Sequence, residues 1–182
     1  MHLRLAILCL LPLVACNSSE HSDMVSAPAS EPLHAEELGT VRNLHRYGDV
    51  WFAAQPSAAD LALFQERGVR TVLDIRHDAE TPELDERAIV EGLGMRYVYV
   101  PWNGPAELND AIFDELRDVL ATAERPLLFH CASANRVGAI WLAYRALDDG
   151  LPLDEARAEA ATIGMRTPEY EAKALEYVRS RK

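Results

Sequence analysis

Short apolar runs alternate along this chain with stretches in which apolar positions recur every three or four residues. The first pattern marks buried strands and the second amphipathic helices. Val50 to Ala54 reads as a strand. Ser57, with Asp60 three residues on, then opens a helix whose Leu61 and Phe64 face inward and which Gly68 stops. Val72, Leu73 and Ile75 mark a second strand over Arg70 to Arg76. Thr81 followed by Pro82 predicts the cap and first turn of a helix ending near Gly92 or Gly94. Arg96 to Val100 is a third strand, closed by Pro101. Ile112, Leu116, Val119 and Leu120 then share one helical face. Leu127 to His130 is a short apolar strand that runs straight into Cys131, after which Val137, Ile140, Trp141 and Tyr144 return to helical spacing. Two more helices are expected, near Pro152–Ile163 and after Thr167-Pro168. Strands alternating with helices predict a three-layer α/β fold, with a mainly parallel central sheet of about four strands flanked by helices.

The first forty residues follow a different rule. Arg4 precedes an eleven-residue apolar run from Leu5 to Ala15, too short for a bilayer core of about 30 Å, which takes about 20 helical residues. A signal peptide fits this length and charge. The run ends Leu13-Val14-Ala15-Cys16, which resembles the bacterial lipobox and implies lipidation of Cys16; an ordinary secretory signal is the alternative. Asn17 to Thr40 is rich in Ser, Pro, Ala and Glu and reads as a flexible tether. The expected organisation is a signal over residues 1–15, a lipidated Cys with its tether over 16–40, and one domain over 41–182. The lipobox implies a bacterial cell-envelope protein, lipid-anchored and facing the periplasm. Asn17 stands where an Asp would imply retention at the inner membrane, so the outer membrane is expected.

Composition narrows the function. With 49% hydrophobic and 26% charged residues, the chain is globular. Eighteen basic against 29 acidic residues give a net charge of −11, which argues against a nucleic-acid partner because phosphate backbones would be repelled. Of Cys9, Cys16 and Cys131, only Cys131 survives signal removal and lipidation as a free thiol. A lone thiol in an oxidising compartment is either a small buried hydrophobe or a reactive nucleophile.

Its neighbours favour the nucleophile. Leu127-Leu128-Phe129-His130-Cys131-Ala132-Ser133-Ala134-Asn135-Arg136-Val137-Gly138 reads as strand, tight loop of small residues, helix. A helix N-terminus offers unpaired N–H groups and the positive end of its dipole. Ala132, Ser133, Ala134 and Asn135 let the backbone curl around an anion. Arg136 closes the cradle with a planar fork matched to two oxygens of a phosphate. The same donors that hold an oxyanion also hold a thiolate. His130 reads as a strand-end residue that steadies the loop.

These residues are similar to the signature of cysteine-dependent phosphatases of the tyrosine and dual-specificity class. The resemblance is closest to the bacterial phosphatase-like domain named after the beta-lactamase hydrolase-like proteins, and it runs from about Tyr47 to Gly164. It includes Gln55-Pro56-Ser57, Gly68-Val69-Arg70-Thr71-Val72, Arg76-His77-Asp78-Ala79-Glu80 and Gly94-Met95-Arg96-Tyr97. It implies a dual-specificity-phosphatase-like fold and a phosphorylated substrate, small molecule or protein. Cys131 would attack phosphorus to form a cysteinyl-phosphate, and Arg136 would bind the transferring group.

Three positions depart from the wider phosphatase pattern. Four residues, not five, separate Cys131 from Arg136, a spacing shared with rhodanese sulfurtransferases. Ala134 stands where Gly is common, at a cost on the order of 1 kcal/mol if φ must be positive there. Val137 replaces a hydroxyl residue that helps the intermediate break down. The resemblance also implies a general acid in the loop after Arg96–Val100, where Asn103 cannot serve. Glu107 and Asp110 are candidates there, and Asp78 is a third because α/β sites gather at the carboxyl ends of strands. Arg76 and Glu80 are expected to form a structural ion pair. No His/Cys/Asp/Glu group has metal-ligand spacing and no nucleotide fingerprint occurs, so neither metal nor cofactor is expected. The alternatives to a phosphatase are a rhodanese-like sulfurtransferase and an inactive lipoprotein that binds an anion or a partner.

Overall fold

The described part of the chain, residues 32–182 of a computed structural model, is built around one mixed sheet. The signal segment, Cys16 and most of the tether lie outside the described residues. Six strands, β1 (His34–Ala35), β2 (His45–Tyr47), β3 (Val50–Ala53), β4 (Thr71–Asp74), β5 (Arg96–Tyr99) and β6 (Leu127–His130), stand in the order β1-β2-β3-β6-β4-β5. β3, β6, β4 and β5 are mutually parallel, as expected. β1 and β2 add an antiparallel edge that the apolar pattern does not disclose, because their residues are mostly His, Arg and Tyr and the strands are only two and three residues long.

β3, β4 and β6 are buried on both faces, which is why they read as continuous apolar runs. Their side chains divide with period two. Val50, Phe52, Leu73, Leu127 and Phe129 face one core, whereas Trp51, Ala53, Val72 and Leu128 face the other. Helices α1 (Ala58–Glu66) and α2 (Glu86–Gly92) cover the second face. Helices α3 (Asp110–Thr122), α4 (Asn135–Leu147), α5 (Leu153–Ile163) and α6 (Pro168–Arg179) cover the first. The capping box at α1 forms as its sequence predicts: Ser57 Oγ accepts from Asp60 N–H, and Asp60 accepts from Ser57 N–H.

Two expectations are corrected. Folded structure begins before Val41, because Leu33 and Leu38 pack on the two cores and Thr40 donates from both N–H and Oγ to buried Asp60, each at 2.8 Å. Residues 34–40 therefore belong to the domain and not to the tether. The helix expected to start at Thr81 starts at Glu86, capped by Asp85. Thr81 Oγ1 accepts from Arg76 Nη1 at 2.5 Å and caps no helix, and Thr81 itself closes a 3-10 turn at Asp78–Glu80.

α4 crosses α5 at Gly138, where an added Cβ would lie 2.6 Å from the Ala160 carbonyl oxygen and 2.8 Å from Met165 Cβ. The backbone oxygen cannot rotate away. Gly138→Ala is expected to destabilise the domain by about 1–3 kcal/mol, as overpacking does, measured as a lowered urea midpoint with unchanged slope.

Candidate active site

The carboxyl ends of the parallel strands place their last residues in one row, Ala53 beside His130, His130 beside Asp74, and Asp74 beside Tyr99. Cys131 follows His130 directly, and its N–H donates to Ala53 O at 3.4 Å. The thiol is 1% exposed. The chain then curls through Ala132, Ser133 and Ala134 into α4. Ala134 takes φ 64°, ψ 0°, the left-handed conformation that costs a non-glycine residue roughly 1–2 kcal/mol. Among the described residues no protein acceptor is paired with the N–H of Ala132, Ser133, Asn135 or Arg136. These unpaired donors sit at the N-terminus of α4, where anions are favoured.

Side chains from outside the loop hold this curl. Asn135 Nδ2 donates to Thr167 Oγ1 at 2.7 Å, and Asn135 Oδ1 accepts from the N–H of Arg166 and of Thr167. Asn43 donates to Ser133 O at 3.1 Å, and Arg166 Nη2 to Ser133 Oγ at 2.9 Å. Gly164 lets the α5–α6 connection press on the loop, since a Cβ there would meet Ser133 O at 3.3 Å. Sequence patterns carry no sign of these contacts, which join residues about thirty to ninety positions apart.

Arg136 is 5% exposed. Its Nη1 and Nη2 meet Glu80 Oε1 and Oε2 at 2.8 and 2.6 Å, and Nη1 also donates to Trp102 O at 2.7 Å. Nε donates to no oxygen among the described residues, and the guanidinium also interacts with Cys131. Burial disfavours the guanidinium charge, but Glu80 and Cys131 outweigh it and hold the Arg136 pKa above its ordinary value. Glu80 is thus the partner of Arg136, and the expected Arg76–Glu80 pair does not form.

Arg76 instead belongs to a buried group beneath the loop. It donates to Asp74 Oδ1 and Oδ2 at 3.0 and 2.8 Å and to Glu86 Oε2 at 2.5 Å. His130 Nε2 lies 2.7 Å from Glu86 Oε1, an ion-pair contact without the angle of a straight hydrogen bond. Tyr97 donates to Asp74 and Gln55 to Glu86. Burial opposes the charge on His130, yet Glu86 and Asp74 raise its pKa. Burial likewise opposes ionisation of Glu86, and His130 and Arg76 lower its pKa. Asp74, Glu86 and His130 bring donor atoms within 4.8 Å of one another, a grouping that could hold a metal and that the sequence spacing does not reveal. The Arg76 guanidinium already stands among these carboxylates.

The three candidate acids go to different places. Asp110 pairs with Arg181, beyond the C-terminal end of α6. The other end of α6, at Thr167, meets the loop, and its twelve residues span about 18 Å. Asp110 is therefore remote from Cys131. Asp78 is exposed, and its N–H donates to Tyr99 on the outer strand. Glu107 lies nearer Arg136, 2.7 Å from His77 Nε2 and 2.7 Å from Asn103 N, and those donors lower its pKa.

Comparisons with known proteins give the family and the fold. Residues 45–148 match the family described as the beta-lactamase hydrolase-like protein, phosphatase-like domain. A beta-lactamase hydrolase-like protein of Xylella fastidiosa (strain Temecula1) is 27% identical over 110 residues, 58% of this chain and 25% of that protein. One of Agrobacterium fabrum is 28% identical over 100 residues, 53% of this chain and 23% of that protein. The matched segment is thus about a quarter of these relatives' length. Among solved structures, a DUF442 protein of Shewanella putrefaciens CN-32 superposes with TM-score 0.67 at 20% identity, covering 78% of this chain and 94% of its own. P. aeruginosa TpbA in complex with pTyr gives 0.60 at 27% identity, covering 75% and 83%. The core catalytic domain of a PP-IP phosphatase from S. cerevisiae gives 0.62 at 16% identity, covering 79% and 93%.

The buried charges make a stability prediction. Glu86→Gln keeps the shape but leaves Arg76 and His130 short of one negative charge, so a loss of about 3–5 kcal/mol is expected from denaturant unfolding. In the native protein the Glu86 pKa lies below its ordinary 4.5. Its contribution is therefore complete above that value and is lost as pH falls through the lowered folded pKa. The acid limb of the stability curve should flatten in the variant.

Proposed function

Because the chain belongs to the family of phosphatase-like domains of beta-lactamase hydrolase-like proteins, we propose that it hydrolyses a phosphate monoester through a cysteinyl-phosphate on Cys131. The observation that carries this reading is the placement of Cys131, the one thiol among the described residues, beside unpaired loop N–H groups and the Arg136 guanidinium. Phosphoryl oxygens are bound by the N–H groups of Ala132, Ser133, Asn135 and Arg136, with Ala134 turning the chain between them, and by the Arg136 guanidinium. They stay bound as charge spreads over them in the transition state. The Cys131 sulfur forms the bond to phosphorus as the ester oxygen departs, and water then displaces the sulfur. One solved relative holds pTyr and another is a PP-IP phosphatase. A phosphorylated protein or small molecule is accordingly the proposed substrate class.

The four-residue spacing from Cys131 to Arg136 supports a second reading, a sulfurtransferase. An aryl phosphate in one assay, and thiosulfate with cyanide in another, separate the two. Phosphate release is expected in the first and no thiocyanate in the second. Cys131→Ser should abolish phosphate release while leaving the circular dichroism spectrum unchanged, since the hydroxyl nearly matches the thiol in volume but is a far weaker nucleophile. Thiocyanate release without phosphate release would favour the sulfurtransferase. Neither product would favour an inactive anion-binding module.

We also propose that the domain is carried on lipid attached to Cys16, at the periplasmic side of the envelope. Two or more acyl chains anchor stably where one does not, so the wild type should fractionate with membranes until detergent is added. Cys16→Ala should lose the acyl mass or remain unprocessed. A soluble wild type with unmodified Cys16 by mass spectrometry would overturn the anchor.

A further inference from the structure

Two loops meet over Arg136 and close a ring of hydrogen bonds. Glu80 Oε1 accepts from Arg136 Nη1 and also from His77 N–H at 3.0 Å. The His77 ring reaches Glu107 Oε2 at 2.7 Å, and the same oxygen accepts from Asn103 N–H. The ring returns to Arg136 through the neighbouring carbonyl of Trp102. His77 is thereby fixed at the carboxyl end of β4, two hydrogen bonds from the arginine beside Cys131.

We propose that His77, oriented by Glu107, is the proton donor to the leaving-group oxygen. This rests on the cysteinyl-phosphate reading. Among the described residues around the ring, the other groups are otherwise engaged. Glu80 spends both oxygens on Arg136, and Asn103 carries no acid. Glu107 accepts two hydrogen bonds through one oxygen, an arrangement that favours its ionised form. His77 is 40% exposed on its side chain and commits Nε2 to Glu107, and among the described residues no side-chain hydrogen bond caps the turn through Nδ1. A carboxylate on one ring nitrogen fixes the ring and leaves the opposite nitrogen to carry the transferable proton.

The steps balance. Cys131 Sγ bonds to phosphorus, the P–O ester bond breaks, and the leaving oxygen takes the electron pair and the proton from His77 Nδ1. In the second step water attacks phosphorus and returns a proton to Nδ1, while the S–P electrons go back to sulfur. The net reaction is ester plus water to alcohol plus phosphate.

A general acid matters only when the leaving group is poor, so two esters make the test. For His77→Gln, kcat/KM is expected to fall about 100-fold with phenyl phosphate and to stay within about threefold of wild type with dinitrophenyl phosphate. The glutamine amide can still donate to Glu107, so a merely structural clasp would be preserved by this variant and activity kept on both esters. His77→Ala should show the same contrast between esters, and Glu107→Gln a weaker one. A contrast of less than about tenfold between the two esters in His77→Gln, whether both rates fall together or neither falls, overturns the proposal. A wild type that releases neither phenol overturns the phosphatase reading itself, and with it the step assigned to His77.

Discussion

The loop that carries Cys131 rests on four ionisable side chains that would each be costly to bury alone. Asp74, Arg76, Glu86 and His130 are between 0% and 3% exposed and bring two carboxylates against a guanidinium and an imidazole. Taking such charges out of water costs several kcal/mol per ion, recovered only when partners and hydrogen bonds are nearly complete. Here Asp74 uses both oxygens on Arg76, while Tyr97, Gln55 and Thr81 supply further bonds. The geometry that brings these charges together admits little movement, with His130 held to Glu86 by charge and not by a straight hydrogen bond. It fixes the ends of β4 and β6 against the first residue of α2, and Cys131 and Arg136 inherit their positions from β6. Replacing the group with apolar residues would remove that directional demand, whatever it did for stability.

The same constraint explains what could be read from the chain and what could not. The parallel strands were legible because burial on both faces leaves an uninterrupted apolar run. The Cys131–Arg136 loop was legible because its thiol, its small residues and its arginine are contiguous. Thr81-Pro82 misled because capping is a local rule and Arg76 claims the Thr81 hydroxyl from five residues away. Glu80 pairs with Arg136 and not with Arg76 for a related reason. Arg76 is closer in sequence, but two nearer carboxylates saturate it, leaving Glu80 free to reach Arg136 across 56 residues. β1 and β2 are short polar strands with no period to detect, and their place is set by the edge of β3.

The left-handed Ala134 shows where function outweighs local preference. Glycine would adopt φ 64° without penalty, and alanine does not. The conformation persists because Asn135, Asn43 and Arg166 hold the residues on either side and because Gly164 lets the neighbouring connection approach. Strain of this size is sustained only where surrounding contacts over-determine the backbone. Reversing it would turn loop N–H groups away from the space above Cys131.

Arg136 carries two tasks that only a planar cation can combine. Its Nη1–Nη2 end is closed by Glu80, which ties α4 to the tail of β4. Its Nε donates to no oxygen among the described residues, and the guanidinium also interacts with Cys131. A lysine ammonium is a point charge, so a carboxylate at Glu80's distance would draw it away from any oxyanion in the loop. The fork divides its donors by direction, so the carboxylate that positions it need not compete with the ligand. A chain of net charge −11 can therefore keep a half-buried glutamate beside a proposed phosphate site. Glu80 offsets the desolvation of Arg136 at one edge, and the other edge, with the unpaired N–H groups of α4, presents local positive potential to an anion.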